Sequence, residues 1–248
     1  MLKNKIAIVT GGANGIGRAI CLEFVKQGAK VVLCDIDSKA GKEVEKQIKH
    51  LGYEAFFLKC DVRKEEDVLK VINYTKKKYN QIDILVNNAG VFLEKKISQI
   101  SKEEWDNVIE TNLRGVFFFI SSVSKHMIEN KSGKIISISS IFGEVGFKNT
   151  SVYCASSGAI INMTRELVLE LSPHKININV VSSGVVVTEM IGSLLSDPAK
   201  KKEILSNIPL ERIGTCEEVA DAVTFLASNR ASFITGHNLV VDGGWLAH

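Results

Sequence analysis

A strand, a glycine-rich turn and a helix open the chain, and they constrain the fold of the remainder. Lys5 to Val9 is short and apolar, which predicts a buried strand. Thr10-Gly11-Gly12-Ala13-Asn14-Gly15-Ile16-Gly17 comes next. Ile16, Ala19, Ile20, Phe24 and Val25 then fall at helical spacing, and Gly28 supplies a stop signal. Glycines separated in this way permit a tight turn, close approach of backbone N–H groups to a ligand, and close packing of helix on strand. The positive helix N-terminus is then a seat for a pyrophosphate. On its own, such a turn is equally compatible with a plain loop. The next strand adds weight. Lys30 to Cys34 is apolar and ends at Asp35, about 20 residues past the glycines, where a carboxylate meets an adenosine ribose 2′-hydroxyl. As a bland alternative, Asp35 is a strand-end turn residue.

The 248 residues suffice to bury a large core and point to one domain, 1–248. Net charge is +3, and the basic residues are scattered, so neither a nucleic-acid nor a membrane partner is called for. The five cysteines are odd in number and lack C-x-x-C pairs. They read as reduced cytoplasmic thiols rather than disulfides, and no metal site is expected. The N-terminus enters the first strand directly, leaving no room for a signal peptide. Apolar runs such as Val116 to Ile120 are too short to span a bilayer.

Strand and helix patterns alternate along the rest of the chain. Helices are predicted over 38–51, 64–79, 102–129, 152–171 and 217–227, with Ser101 and Glu104 as a capping box for the third. Strands are predicted over 54–59, 82–86, 134–138, 176–181 and 238–241. Residues 188–212 carry two of the three prolines and read as an irregular lid. The alternation predicts an α/β fold, a doubly wound parallel sheet with helices on both faces.

Several stretches, in order and along the whole chain, resemble the short-chain dehydrogenase/reductase family. They are Thr10-Gly11-x-x-x-Gly15-Ile16-Gly17, Asp61-Val62, Asp83-x-Leu85-Val86-Asn87-Asn88-Ala89-Gly90, Asn112, Ser139-Ser140-x-x-Gly143, Tyr153 and Gly236-x-x-x-x-Val241-Asp242-Gly243-Gly244. Bacterial members with this tail are often described as 3-oxoacyl-carrier-protein reductases or as sugar and alcohol dehydrogenases. The resemblance implies a Rossmann-type nicotinamide dinucleotide site. Gly11, Asn14, Gly15, Ile16 and Gly17 would form its glycine turn. Asp35 would hold the 2′-hydroxyl of NAD and repel a 2′-phosphate. Asn14 stands where NADP-preferring relatives often carry a basic residue, and Ile36 is uncharged, so NAD is favoured over NADP. Asp61 and Val62 would flank the adenine, although Asp61 also reads as a helix N-cap. Asn88 and Gly90 lie at a strand's carboxyl end, where such sheets bind ligands. Val186 and Thr188 resemble contacts to the nicotinamide carboxamide and the phosphates.

For the chemistry, Tyr153 resembles the tyrosine that moves the proton. Ser140 resembles the serine that holds the substrate oxygen, with Ser139 the near alternative. Asn112 resembles the asparagine that supports a water in the proton relay. Taken singly, these are also a core tyrosine, a turn serine and a helix-kinking asparagine. Two departures stand out. The family reads Tyr-x-x-x-Lys, but this chain reads Tyr153-Cys154-Ala155-Ser156-Ser157. A serine cannot supply the lysine's positive charge. Lys148, in the preceding loop, is the first substitute to consider. Ser183-Gly184 replaces the usual Pro-Gly, which predicts a looser turn.

Two classes therefore stay open: an oxidoreductase acting on a secondary alcohol or ketone, and a catalytically impaired NAD-binding relative with a scaffolding role. The substrate pocket is expected to be lined by 141–149, Cys154 and the lid, with Phe142, Phe147, Met190 and Leu194 beside Glu144 and Lys148. The resemblance also implies a homotetramer built on the two long helices and the apolar tail.

Overall fold

Eight principal α-helices and seven strands are seen among the residues described by the computed structural model, which are 1–192 and 196–247. The strands are β1 (Ile6–Thr10), β2 (Lys30–Asp35), β3 (Ala55–Lys59), β4 (Ile84–Asn87), β5 (Gly133–Ser140), β6 (Ile176–Ser183) and β7 (Asn238–Val241). All neighbours pair in parallel, in the order β3-β2-β1-β4-β5-β6-β7. The order reverses between β1 and β4, which opens a crevice at the carboxyl ends of those strands.

The helices are α1 (Gly15–Lys26), α2 (Ser38–His50), α3 (Glu65–Tyr79), α4 (Lys102–Ile109), α5 (Gly115–Asn130), α6 (Ser151–Leu171), α7 (Pro198–Ser206) and α8 (Cys216–Ala227). They cover both faces of the sheet. Alternation along β1 shows how: Ala7 and Val9 face one layer with Phe24 and Val223, while Ile8 faces the other with Phe119 and Ile160. Burial on both sides explains why the central strands read as continuous apolar runs rather than alternating ones.

Two predicted stretches differ in detail. Residues 102–129 are not one regular helix, because a π-turn at Glu110–Arg114 separates α4 from α5. The lid 188–212 is not irregular throughout. Asp197 caps α7, accepting from the Ala199 and Lys200 N–H groups, and Pro198 occupies its first turn, where a missing N–H costs nothing. Its Lys-rich sequence has no strong apolar stripe, so periodicity did not reveal it. The capping box on α4 is present. Glu104 N–H donates to Ser101 Oγ at 3.2 Å, and Ser101 N–H to Glu104 Oε2 at 2.8 Å.

The opening turn is held by contacts that only glycine permits. A Cβ on Gly17 would lie 2.0 Å from the Gly11 carbonyl oxygen and 2.5 Å from Asn88 Nδ2. Gly11 itself has φ +62 and abuts the Ala89 backbone. The substitution Gly17→Ala is therefore expected to cost about 1–3 kcal/mol through forced backbone displacement. Urea unfolding of the two proteins measures it, and an unchanged midpoint would contradict the packing described.

Candidate active site

A cavity of about 460 Å³ occupies the carboxyl ends of the strands, a size ordinary for a small-molecule site. At one end lie Asp35, Ile36, Asp61, Val62 and Arg63; at the other lie Ser140, Phe142, Tyr153, Ser157 and Ile191. Gly11, Asn14, Gly15 and Ile16 line it from the opening turn, Asn88, Gly90 and Asn112 from the middle, and Val186 and Thr188 from the loop after β6. Of the expected binding residues, Gly17 alone lies outside the wall. Its contacts are with Gly11 and Asn88 behind it, so it packs the turn instead of facing the cavity.

The β1–α1 turn and the end of β4 are tied together. Thr10 Oγ1 accepts from the Asn88 and Ala89 N–H groups at 3.0 and 3.1 Å. Asn88 Nδ2 donates back to the Thr10 and Gly11 carbonyls at 3.1 and 3.0 Å. At the outer end, the Asp35 carboxylate is fixed by the Ala13 N–H on Oδ2 (3.1 Å) and the Asp37 N–H on Oδ1 (3.0 Å). Asp61 is not the cap of α3, since Lys64 holds that position. Its carboxylate pairs with Arg63, at 2.9 Å to Nε and 2.7 Å to Nη2, and this pairing holds its pKa below the usual carboxylate range.

At the inner end, α6 places Tyr153 and Ser157 one turn apart on the same face. The helix lies close against the turn after β5, where a Cβ on Gly143 would be 2.9 Å from the Ser157 carbonyl carbon. Ser139 Oγ donates to the Ser157 carbonyl at 3.0 Å, so Ser139 is a packing residue rather than an alternative to Ser140. The Tyr153 phenol has the hydroxyls of Ser140 and Ser157 as its polar side-chain neighbours. Burial pushes the phenol above its ordinary value, against the lowering effect of the two serines. Ser157 itself is 4% exposed. The phenol also meets an aromatic wall, with the Phe92 ring edge-on at 5.0 Å.

Asn112 lies in the π-turn, consistent with the frequency of such turns at functional sites. Its Oδ1 accepts from the Val91 N–H at 2.8 Å, and its Nδ2 donates to the Val91 carbonyl at 2.9 Å and to Ser156 Oγ at 3.4 Å. Both ends of the amide thus hold the loop after β4 against α6.

The expected pocket wall is corrected in several places. From 141–149 only Ile141 and Phe142 line the cavity. Phe147 stacks on Phe142 from behind, with centroids 4.7 Å apart. Glu144 instead accepts from Asn238 Nδ2 at 2.8 Å. Lys148 is exposed and outside the wall, so it is no neighbour of Tyr153. The Cys154 thiol meets Thr150 Oγ1 at 3.2 Å, also away from the cavity. Leu194 lies outside the described residues, and so does the side chain of Met190. Arg63 is the one Lys or Arg among the described lining residues, and it lies at the end remote from Tyr153. Ser183 does not loosen the chain at its position. It stays in the ladder opposite Ser140 and Val241, and its hydroxyl donates to the Gly184 carbonyl at 2.8 Å.

Arg63 and Phe92 were not legible as lining residues in the sequence, whereas Ile191 falls within the predicted lid. Arg63 directly follows Asp61-Val62 and Phe92 lies two residues after Gly90, and that proximity is the signal that finds them.

Comparison with known proteins agrees with this geometry. Residues 11–246 match the family described as enoyl-(acyl carrier protein) reductase. A 3-oxoacyl-(acyl-carrier-protein) reductase of Staphylococcus epidermidis is 37% identical over 242 residues, covering 97% of this chain and 98% of the relative. An NAD-dependent glycerol dehydrogenase of Listeria innocua is 39% identical over 244 residues, covering 98% and 94%. The crystal structure of gox2181 superimposes with a TM-score of 0.98 at 30% identity, covering 100% of this chain and 97% of that one. With the parallel sheet and its strand-end cavity, these likenesses make the chain an oxidoreductase of the short-chain dehydrogenase/reductase family.

Proposed function

We propose that the chain is an NAD-dependent oxidoreductase that interconverts a secondary alcohol and a ketone, in the manner of a 3-oxoacyl-carrier-protein reductase. The observation that carries this reading is that Tyr153, Ser140 and Ser157 line one end of a cavity whose far end holds Asp35. The residues present fit the cofactor. A Cβ on Gly15 would close to 3.2 Å on Thr188 Cγ2 and fill the space between the opening turn and the loop after β6. When bound, the nicotinamide ring supplies the hydride chemistry. The chain's own residues do the rest.

Gly11, Asn14, Gly15 and Ile16 hold the pyrophosphate at the N-terminus of α1. Asp35 takes the ribose hydroxyls, Asp61 and Val62 the adenine, and Asn88, Gly90, Val186 and Thr188 the nicotinamide half. Ser140 orients the substrate oxygen, and Tyr153 exchanges the proton with it. Asn112 keeps the wall opposite Tyr153 in place. Phe92, Phe142 and Ile191 give the substrate end a largely apolar lining, which suits a partly apolar carbonyl compound. Between the acyl thioester and polyol classes named by the relatives, that lining favours the former. Five free thiols suit a reducing compartment such as the cytoplasm.

One observation favours a second reading, in which the chain binds NAD without useful turnover. Ser157 occupies the motif lysine's position, and no cation among the described lining residues is near the phenol. Alcohol oxidation needs the phenolate, and the Tyr153 pKa lies above its ordinary value. The phenolate fraction, hence the oxidation rate, rises with pH toward and beyond about 10. Carbonyl reduction uses the protonated phenol and suffers less. The variant Ser157→Lys brings an ammonium beside the phenol, lowers its pKa, and is expected to raise neutral-pH turnover by about 10- to 1000-fold. Turnover against pH for both proteins, on alcohols and ketones from a screen, is the measurement. No gain in a variant that still binds NAD would sink the lysine argument and favour the second reading.

Cofactor choice has its own test. A 2′-phosphate would meet the Asp35 carboxylate, while Arg63, the one Lys or Arg among the described lining residues, is engaged by Asp61, so NAD(H) is expected to bind more tightly than NADP(H) by about 1–3 kcal/mol. Calorimetric titration measures both, and equal affinities would remove Asp35 from this role.

Assembly follows from exposed apolar side chains. Trp105 on α4 is 47% exposed, Phe117 on α5 51% and Leu169 on α6 77%, and Phe233 is fully exposed. We infer a homotetramer in which these surfaces meet their own copies around two-fold axes. Sedimentation at micromolar concentration is expected to give four times the monomer mass; a monomer alone would contradict it.

A further inference from the structure

Arg63 closes the base end of the cavity, and its guanidinium is fixed on two sides. Nε donates to Asp61 Oδ1 at 2.9 Å and Nη2 to Asp61 Oδ2 at 2.7 Å, forming a fork on the carboxylate. Nη1 donates to Asn107 Oδ1 at 2.9 Å, which ties the same plane to α4. The Arg63 N–H adds a third contact to Asp61, on Oδ1 at 3.1 Å. The Arg63 carbonyl in turn accepts from Arg114 Nη2 at 3.3 Å.

A carboxylate has about four acceptor sites. Among the described residues, Asp61 uses two on Oδ1 and one on Oδ2. One site on Oδ2 is left, on a side chain that lines the cavity. That remaining site suits an N–H donor. The amino group at position 6 of a purine has such donors, whereas a 6-keto purine presents an oxygen there, which a carboxylate repels. An unpaired Asp61 would have several free sites and a rotatable plane, and would discriminate less.

We propose that Arg63 is a positioning residue for base recognition: it fixes the Asp61 carboxylate so that its unused Oδ2 site selects a 6-amino purine over a 6-keto purine. The inference rests on the dinucleotide reading and deepens it. Lysine cannot take over, because an ammonium keeps the charge but not the planar fork.

The test is calorimetric titration of the full chain with NAD and with nicotinamide hypoxanthine dinucleotide, which differs only at position 6 of the base. The native protein is expected to bind NAD about 10- to 100-fold more tightly. In Arg63→Ala and in Arg63→Lys the ratio is expected to fall to within about threefold of one, mainly through weaker NAD binding. The ratio, unlike the affinity itself, does not respond to a general loosening of the fold. If the alanine variant unfolds, the lysine variant, which retains the charge, gives the same reading. A ratio kept in the variants, or a native ratio near one, overturns the role of Arg63 and leaves the dinucleotide site standing. Failure of the native protein to bind either compound overturns the dinucleotide reading and this inference with it.

Discussion

The Asn88 amide is the point on which the two halves of the cavity depend. It bonds the Thr10 and Gly11 carbonyls, while the Thr10 hydroxyl takes the N–H groups of Asn88 and Ala89. Those four bonds join the turn after β1 to the end of β4, across the place where strand order reverses. Backbone groups there have left the sheet ladder and would otherwise be short of partners. The glycines serve this junction. Gly11 adopts φ +62 and Gly17 lets α1 come up against it, so the helix N-terminus lies at the crevice with its N–H groups toward the cavity. The proposed dinucleotide site rests on how this junction is closed.

The two ends of the cavity are built on different physics. At the base end the polar groups are charged and cross-braced. Asp35 is held by two backbone N–H groups, and Asp61 by Arg63. At the tyrosine end the side chains around the phenol are neutral: Ser140, Ser157, Asn112 and a phenol whose pKa burial has raised. Charges at the outer end are partly solvated, which makes them inexpensive to keep. A lysine at position 157 would bury an ammonium among groups that are otherwise uncharged, and the ion would need compensation by further hydrogen bonds. Serine avoids that desolvation and places a neutral hydroxyl beside the phenol. The phenol in this setting is a weaker acid than one beside a cation.

Most of the fold could be read from the residues because its signals are local and strong. β1, β2 and β4 are apolar runs bounded by turn residues, and the Ser101–Glu104 box announces α4. The features that could not be read depend on tertiary contact. The π-turn at 110–114 has no periodicity of its own; it is fixed where Asn112 reaches Val91 and Ser156. The helix α7 packs little more than Ile204 into the interior, so no stripe marks it. The same holds for the wall. Glu144, Phe147 and Lys148 are close in sequence to Ser140 and Tyr153, but the turn at 141–143 carries the chain away from the cavity after Phe142. Asn238 and Trp245 then take up Glu144 and the phenylalanine pair.

The separation of charged and neutral ends bears on how such a chain changes its chemistry. The outer end reaches α4 through Arg63 and Asn107, and the same helical path continues through the π-turn to Asn112 at the inner end. Asn107 and Asn112 are five residues apart, the hydrogen-bond step of a π-turn, so one helix segment contacts both ends. The couplings differ in kind. Arg63 is held by charge-assisted bonds, which tolerate displacement poorly. Asn112 is held by neutral bonds to a loop backbone, which can be remade with another polar side chain at modest cost. Substitution at position 157 touches neither set, because Arg63 is bonded to Asp61 and Asn107, and Asn112 to Val91 and Ser156. A serine in place of the motif lysine is therefore a change at the inner end, around the phenol. The outer end keeps the hydrogen bonds that fix Asp35 and the Asp61–Arg63 pair.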